Sequence, residues 1–147
     1  IMHLPDDCLS FIFQRLDCRS DRESFGLTCH RWLNIQNISR RSLEFNCSFT
    51  QLDISLLSHT RLASRLKFLN LRMCRTVDDE SIAAIAKECP LLKEWNLALC
   101  HEVRISGWMS IGLNCHKLKK LHVNRCRNLC DRGLQALRDG CKQLSVL

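Results

Sequence analysis

Three segments of this chain share one pattern: residues 66–74 are LKFLNLRMC, residues 92–100 are LKEWNLALC and residues 118–126 are LKKLHVNRC. The segments begin 26 residues apart, and in each of them a cysteine follows the opening leucine by eight positions. A fixed period of this length is typical of a stacked array, in which each unit completes its apolar core against its neighbours. The sequence therefore predicts a binding surface before it predicts a reaction.

Apolar residues recur at the same positions throughout the three units. The front of each unit, L-x-x-L-x-L, alternates as a short strand does, and residues 78–87 have helical spacing. Each unit is thus predicted as strand, turn, helix and return, with Asp78 and Asp131 as helix N-caps and a looser helix start near Arg104 in the middle unit. The predicted buried columns are Leu69, Trp95 and Leu121; Leu71, Leu97 and Val123; Val77, Val103 and Leu129; Ile82, Trp108 and Leu134; and Ile85, Ile111 and Leu137.

These units resemble leucine-rich repeats of the cysteine-containing class. The resemblance implies a solenoid with short parallel strands on the concave face and helices on the convex face, over residues 41–147. We expect about four repeats: a divergent first one at about 40–65, containing Leu43, Phe45 and Leu56, then 66–91, 92–117 and 118–143. Residues 144–147 begin a further strand, and the chain starts at Ile1 without an initiator, so we expect a fragment with an open C-terminal end.

The first 40 residues do not follow the repeat. Leu4-Pro5 precedes two aspartates at a predicted helix start, and Leu9, Ile12, Phe13 and Leu16 form one helical stripe. Ser20-x-x-Glu23 predicts a capping box at the start of a second helix. A third apolar stretch ends at Trp32-Leu33, so we expect three short helices, which bury too little surface to be stable without help.

The stretches LPDDCLSFIFQRLD (4–17) and FGLTCHRWL (25–33) resemble an F-box, with Thr28 and His30 departing from the family pattern. The resemblance implies an F-box at 1–40 that docks to the Skp adaptor of a Skp-cullin-F-box ubiquitin ligase, and through it to the cullin and RING subunits. Together, the two resemblances indicate an α/β F-box/leucine-rich-repeat protein. The residues expected at the adaptor, some of which also close the helical core, are Leu4, Pro5, Leu9, Ile12, Phe13, Leu16 and Trp32.

The composition is that of one soluble chain of 147 residues, and its net charge of +7 is unevenly distributed. Residues 1–40 hold five basic and five acidic groups, whereas residues 41–147 hold 17 and 10. A basic solenoid favours acidic partners by electrostatic steering. Charge alone leaves nucleic acid open, but we do not favour it. No apolar run approaches the ~18 residues that span a bilayer, so no membrane partner is expected.

Eleven cysteines would suit a disulfide scaffold in a small secreted protein, but most of them fall in or beside two repeat columns. We therefore expect reduced core thiols and a reducing compartment, the cytoplasm or nucleus. The alternative is zinc held by Cys126, Cys130, Cys115 and His116, although these lack the paired knuckles of structural sites. We predict no metal and no cofactor.

No P-loop, G-x-G-x-x-G, H-E-x-x-H or G-x-S-x-G motif is present, so we expect a non-catalytic adaptor. Its unidentified substrate protein would contact the strand positions that alternate away from the core. Two functions remain: the substrate receptor of a ubiquitin ligase, or a ligase-independent repeat module that binds or inhibits a partner. The candidate substrate face contains Phe68, Asn70, Arg72, Glu94, Asn96, Ala98, Lys120, His122 and Asn124.

Overall fold

The computed structural model describes residues 4–39, 41–44 and 63–147. Its N-terminal part contains three short helices, α1 (Asp6–Gln14), α2 (Arg19–Leu27) and α3 (His30–Ser39). α1 begins directly after Pro5, with Asp6 and Asp7 in its first turn, where carboxylates interact favourably with the helix dipole. α3 packs against both other helices.

The three helices bury a small aromatic core. Leu9, Phe13, Phe25 and Ile35 are at most 5% exposed, and the indole of Trp32 stacks on the Phe25 ring at a centroid distance of 4.4 Å. Leu4 and Leu16 also pack against this core. The helical stripe predicted from the sequence therefore faces inward at Leu9 and Phe13.

The predicted capping box at the start of α2 is wrong. The N-cap residue is Cys18, and no side chain caps the helix end. Ser20 lies inside the helix, where its carbonyl accepts a hydrogen bond from the Ser24 hydroxyl, and Glu23 pairs with Arg19 at 3.1 Å. Arg19 and Glu23 are four residues apart on one exposed helix face, so their ion pair lies within the helix.

The described strands form one parallel sheet in chain order: β1 (Ser42–Glu44), β2 (Phe68–Asn70), β3 (Glu94–Asn96) and β4 (Lys120–His122). Partners in neighbouring strands are 26 residues apart, as in the pairs Leu43 with Leu69 and Leu69 with Trp95. A 3-10 turn, Ala63–Arg65, precedes β2, and an isolated bridge joins Lys120 to Val146. The sequence period is thus the sheet register.

Three helices of equal length cover the sheet: α4 (Asp79–Glu88), α5 (Ile105–Asn114) and α6 (Asp131–Gly140). Each packs against its neighbour, and the columns between helices and strands are almost completely buried, with Trp95 and Trp108 at 0% exposure. Leu134 is 37% exposed, because no described helix follows α6. The predicted fold class is confirmed. No helix in the described ranges combines the length and apolar character needed to cross a bilayer.

The helix starts differ from one repeat to the next. Asp78 caps α4 as predicted, accepting the backbone N–H of Ser81 at 2.9 Å. Asp131, however, lies in the first turn of α6, whose N-cap residue is Cys130. α5 has no cap of its own, but its start is not loose, since the Asp79 carboxylate accepts the backbone N–H of Arg104 at 2.6 Å.

The loops between strand and helix share one unusual backbone conformation. Met73, Leu99 and Arg125 have φ values of 63°, 65° and 59°, in the left-handed region that non-glycine residues seldom occupy. Each of them immediately precedes the first cysteine of its repeat. Residues 45–62 of the predicted first repeat, which include Phe45 and Leu56, lie outside the described residues.

Candidate functional site

On the strands β2, β3 and β4, six of the predicted substrate-face residues form two adjacent rows. Phe68, Glu94 and Lys120 are direct partners across β2, β3 and β4, and Asn70, Asn96 and His122 form the second row. Direct partners in neighbouring strands lie about 5 Å apart, so each row presents a continuous line of side chains. Phe68 is 43% exposed, so an aromatic ring is available at one end of the first row.

Glu94 and His122 are joined diagonally across β3 and β4. The Nε2 atom of His122 lies 3.1 Å from Oε1 of Glu94, and about a third of each side chain is exposed. A protonated histidine makes this contact an ion pair, whereas a neutral one leaves a hydrogen bond. The pair therefore engages the one acidic residue of the first row.

Asn70 and Asn96 also stabilise the turns that follow their strands, a role that was not predicted from the sequence. Oδ1 of Asn70 accepts the backbone N–H of Arg72 at 3.1 Å, and Oδ1 of Asn96 accepts that of Ala98 at 3.0 Å. Such turns allow asparagine to stabilise a chain reversal with its own side chain. Both residues therefore hold the loops that lead into the left-handed positions.

The remaining predicted substrate-face residues are divided by burial. Arg72 and Asn124 are exposed in the turns after β2 and β4, and Lys120 is exposed on β4. Ala98 is only 7% exposed. The face available to a partner is therefore centred on Phe68, Glu94 and Lys120, and it continues towards the turns.

The residues predicted at the adaptor separate into core and surface. Leu9 and Phe13 are buried, and Leu4, Leu16 and Trp32 are partly buried against the same core. Pro5 is exposed, and Ile12 is 41% exposed. The guanidinium of Arg31 bonds to the Leu4 carbonyl and to the Asp6 carboxylate, which ties the chain before α1 to α3.

Three exposed apolar residues of the helical part were missed. Phe11 is 57% exposed on α1, Leu27 is 86% exposed at the end of α2, and Leu33 is 40% exposed on α3. All three lie beside residues of the predicted stripe or motif, so the sequence pattern did not distinguish them from core residues. Exposed apolar side chains indicate an interaction surface, and their exposure is visible only in the structure.

The repeat cysteines link each unit to the preceding one. The thiols of Cys100 and Cys126 donate to the carbonyls of Leu71 and Leu97, both at 3.1 Å. Cys141 donates to the Cys115 carbonyl at 3.3 Å. Burial raises the pKa of Cys89 and Cys115 to about 12, so these thiols are protonated and poorly nucleophilic near neutral pH.

The zinc alternative finds no support among the described residues. No group of three or more histidine, cysteine, aspartate or glutamate side chains there is arranged to hold a metal ion. Cys115 is buried and Cys130 exposed, while Nδ1 of His116 lies 2.9 Å from the Gly140 carbonyl.

Comparisons with known proteins match both parts of the chain. The family model described as F-box domain matches residues 1–42, and the one described as Leucine Rich repeat matches residues 114–137. The chain is also similar to F-box/LRR-repeat protein 12 of Arabidopsis thaliana, with 56% identity over 98 residues, covering 58% of this chain and 25% of that protein. The chain thus spans about a quarter of the length of this curated relative.

Proposed function

We propose, on the premise that this is an F-box/LRR protein, that it is the substrate-recognition subunit of a Skp-cullin-F-box ubiquitin ligase. In this role the F-box binds a Skp-family adaptor, and through it the cullin and RING subunits. The repeats hold a target protein whose lysines receive ubiquitin.

The observation that carries the proposal is the exposed apolar surface of the three-helix F-box. Phe11, Ile12, Leu27 and Leu33 are each at least 40% exposed, although the unit has only a small core of its own. Burying a fully exposed side chain of this kind contributes about 1.5–3 kcal/mol, so covering the exposed part of each of these contributes a corresponding fraction. An adaptor that covers several of them would therefore both bind the F-box and stabilise it.

Proximity is the proposed mechanism. Binding a target on the repeats raises the effective concentration of its lysines near the ubiquitin-loaded enzyme. The chain itself catalyses no bond change in this scheme. The raised pKa values of Cys89 and Cys115 make these two buried thiols poor nucleophiles.

A reducing compartment, the cytoplasm or nucleus, is the proposed location. Every cysteine among the described residues is a free thiol, including Cys8, Cys18 and Cys29, which are exposed. Exposed thiols in a chain rich in cysteine are compatible with a compartment that keeps them reduced.

The test is co-purification of the chain with a recombinant Skp-family adaptor. We expect the wild type to co-purify, and an Ile12→Asp/Leu27→Asp variant to lose at least about tenfold in affinity, because two apolar contacts would be replaced by charges. Met109→Asp/Leu113→Asp is the matched control, since both residues are exposed on α5, at 48% and 71%. Circular dichroism of the free variants checks that each is folded.

Failure of the wild type to bind the adaptor would contradict the ligase role. Equal loss in the F-box variant and the α5 control would show that the exposed F-box residues are not the docking surface. Without adaptor binding, the ligase-independent repeat module would be the remaining function.

A further inference from the structure

A row of basic residues borders the sheet at the edge where the strands begin. Three members follow the leucine that opens their repeat, and the fourth, Arg41, has the equivalent position before β1. We call this set the basic row. Its members are Arg41, Lys67, Lys93 and Lys119.

The backbone stacks the members of the basic row directly on one another. The N–H groups of Lys67, Lys93 and Lys119 each donate to the carbonyl of the preceding member at 2.8 Å. Strands in a sheet are about 4.8 Å apart, so the row spans about 14 Å. This is the length of about four residues of an extended peptide.

Like charges at directly opposed sheet positions repel one another and destabilise a sheet. The members of the basic row lie one residue before the paired strands, and backbone hydrogen bonds stack neighbouring members in the same way. Among the described residues, the Lys67, Lys93 and Lys119 ammonium groups form no ion pair. A line of anionic groups from outside would relieve the repulsion along the whole row.

The two ends of the basic row differ in their surroundings. Arg41 and Lys67 line a cleft against the F-box, whose other charged lining residues are Asp17, Arg19, Arg22 and Glu23. Lys93 and Lys119 lie beyond that cleft, and the acidic residue next to them, Glu94, contacts His122. Lys93 and Lys119 are therefore the members of the basic row that a partner can reach without entering the cleft.

We infer that the basic row binds an extended acidic segment of a protein partner. The inference rests on the proposed function, in which this segment belongs to the target held by the repeats. The basic row has one basic residue per strand, and this linear arrangement suits carboxylates carried on an extended backbone. Single-stranded nucleic acid is instead bound by a basic groove with several aromatic platforms, and on the described strands Phe68 is the exposed aromatic residue.

The experiment measures fluorescence anisotropy of a labelled octaglutamate peptide titrated with the full chain. We expect binding that weakens as NaCl is raised from about 50 mM to about 300 mM, because salt screens exposed charges. A Lys93→Glu/Lys119→Glu variant should bind about tenfold more weakly or worse. The matched control, Arg75→Glu/Arg127→Glu, makes the same charge change at exposed residues on the opposite edge of the sheet and should stay within about twofold of wild type.

Two further probes decide the chemistry of the ligand. An octaglutamine peptide should not bind, and an oligothymidine with eight phosphates should bind more weakly than octaglutamate. Stronger binding of the oligothymidine, no binding of octaglutamate by the wild type at the lower salt, or equal losses in both variants would each overturn the inference.

Adaptor co-purification of the same variants separates this inference from the proposed function. If octaglutamate fails to bind while the adaptor still co-purifies, the acidic-segment site is overturned and the ligase role stands. If octaglutamate binds through the basic row while the adaptor does not, the site stands and the ligase role fails.

Discussion

The carboxylate of Asp79, in the first turn of α4, accepts the backbone N–H of Arg104, the N-cap residue of α5, at 2.6 Å. The same carboxylate lies where a side chain on residue 107 would have to go, since a Cβ at Gly107 would be 2.7 Å from Oδ1 of Asp79. One repeat thus caps the helix of the next, and a glycine in that helix leaves the space.

Replacing Asp79 should therefore destabilise the neighbouring repeat. We expect Asp79→Ala to lower the free energy of unfolding by about 1 kcal/mol, the usual effect of losing a helix cap, as measured by urea denaturation. Glu80→Ala is the control, because Glu80 is exposed in the same first turn but does not cap α5. Equal effects of the two substitutions would indicate that only the dipole of α4 is involved.

Gly140 is the point of closest approach between α5 and α6. A Cβ there would overlap the backbone carbonyl of Gly112, which cannot move as a flexible side chain does. We expect Gly140→Ala to lower the free energy of unfolding by about 1–3 kcal/mol, although alanine is the better helix former. Thermal unfolding measures the effect, with Asp139→Ala as the exposed neighbour. A Gly140→Ala protein as stable as wild type would contradict this backbone contact.

The left-handed residues offer a test in which glycine should be tolerated. Arg125 is exposed with a φ of 59°, so Arg125→Gly should leave stability unchanged or raise it by up to about 1 kcal/mol. Arg127 lies two residues further on in the same loop, exposed and without a positive φ, and Arg127→Gly should lower stability. Chemical denaturation of both variants gives the comparison. The reverse order of stability would rule out the strained conformation.

The buried thiols predict a loss of stability in alkali. The pKa of Cys115 rises on folding from 9.0 to about 12, so the folded state holds its proton more firmly. This stabilisation is fully present below pH 9 and is lost as pH rises towards 12, by about 1 kcal/mol per pH unit for one thiol. Unfolding between about pH 8 and about pH 10.5 should show a smaller decline for Cys115→Ala than for wild type.

Cys130→Ala serves as the control in the alkaline series, because Cys130 is exposed. Its stability should decline with pH as that of the wild type does. A decline in Cys115→Ala as steep as in the wild type would assign the alkaline loss to other groups.

Most of the repeat fold could be predicted from the 26-residue period of the sequence. Because in-register strands repeat the same environment, burial of Trp95 follows from burial of Leu69 and Leu121 in its column, and all three are at most 2% exposed. The start of α5 could not be predicted in this way. Its cap comes from Asp79, 25 residues earlier, and local patterns such as an N-cap motif contain no information about a partner in the preceding repeat.

The candidate site, like the fold, could be predicted from the sequence only in part. The alignment of Phe68, Glu94 and Lys120 follows from the period, whereas the diagonal contact between Glu94 and His122 depends on side-chain conformations. In the F-box, helical spacing identified the inward stripe but not the exposed Phe11 and Leu27, because a helix periodicity does not show which apolar residues lack a covering element.

The hydrogen bonds donated by the repeat cysteines run in one direction along the array. Cys100 and Cys126 each donate to a carbonyl in the preceding repeat, so in these two repeats the acceptor comes earlier in the chain than the donor. During synthesis from the N-terminus, a repeat leaving the ribosome thus meets an acceptor that already exists. The direction of these hydrogen bonds is therefore compatible with repeats being added one at a time in the order of translation.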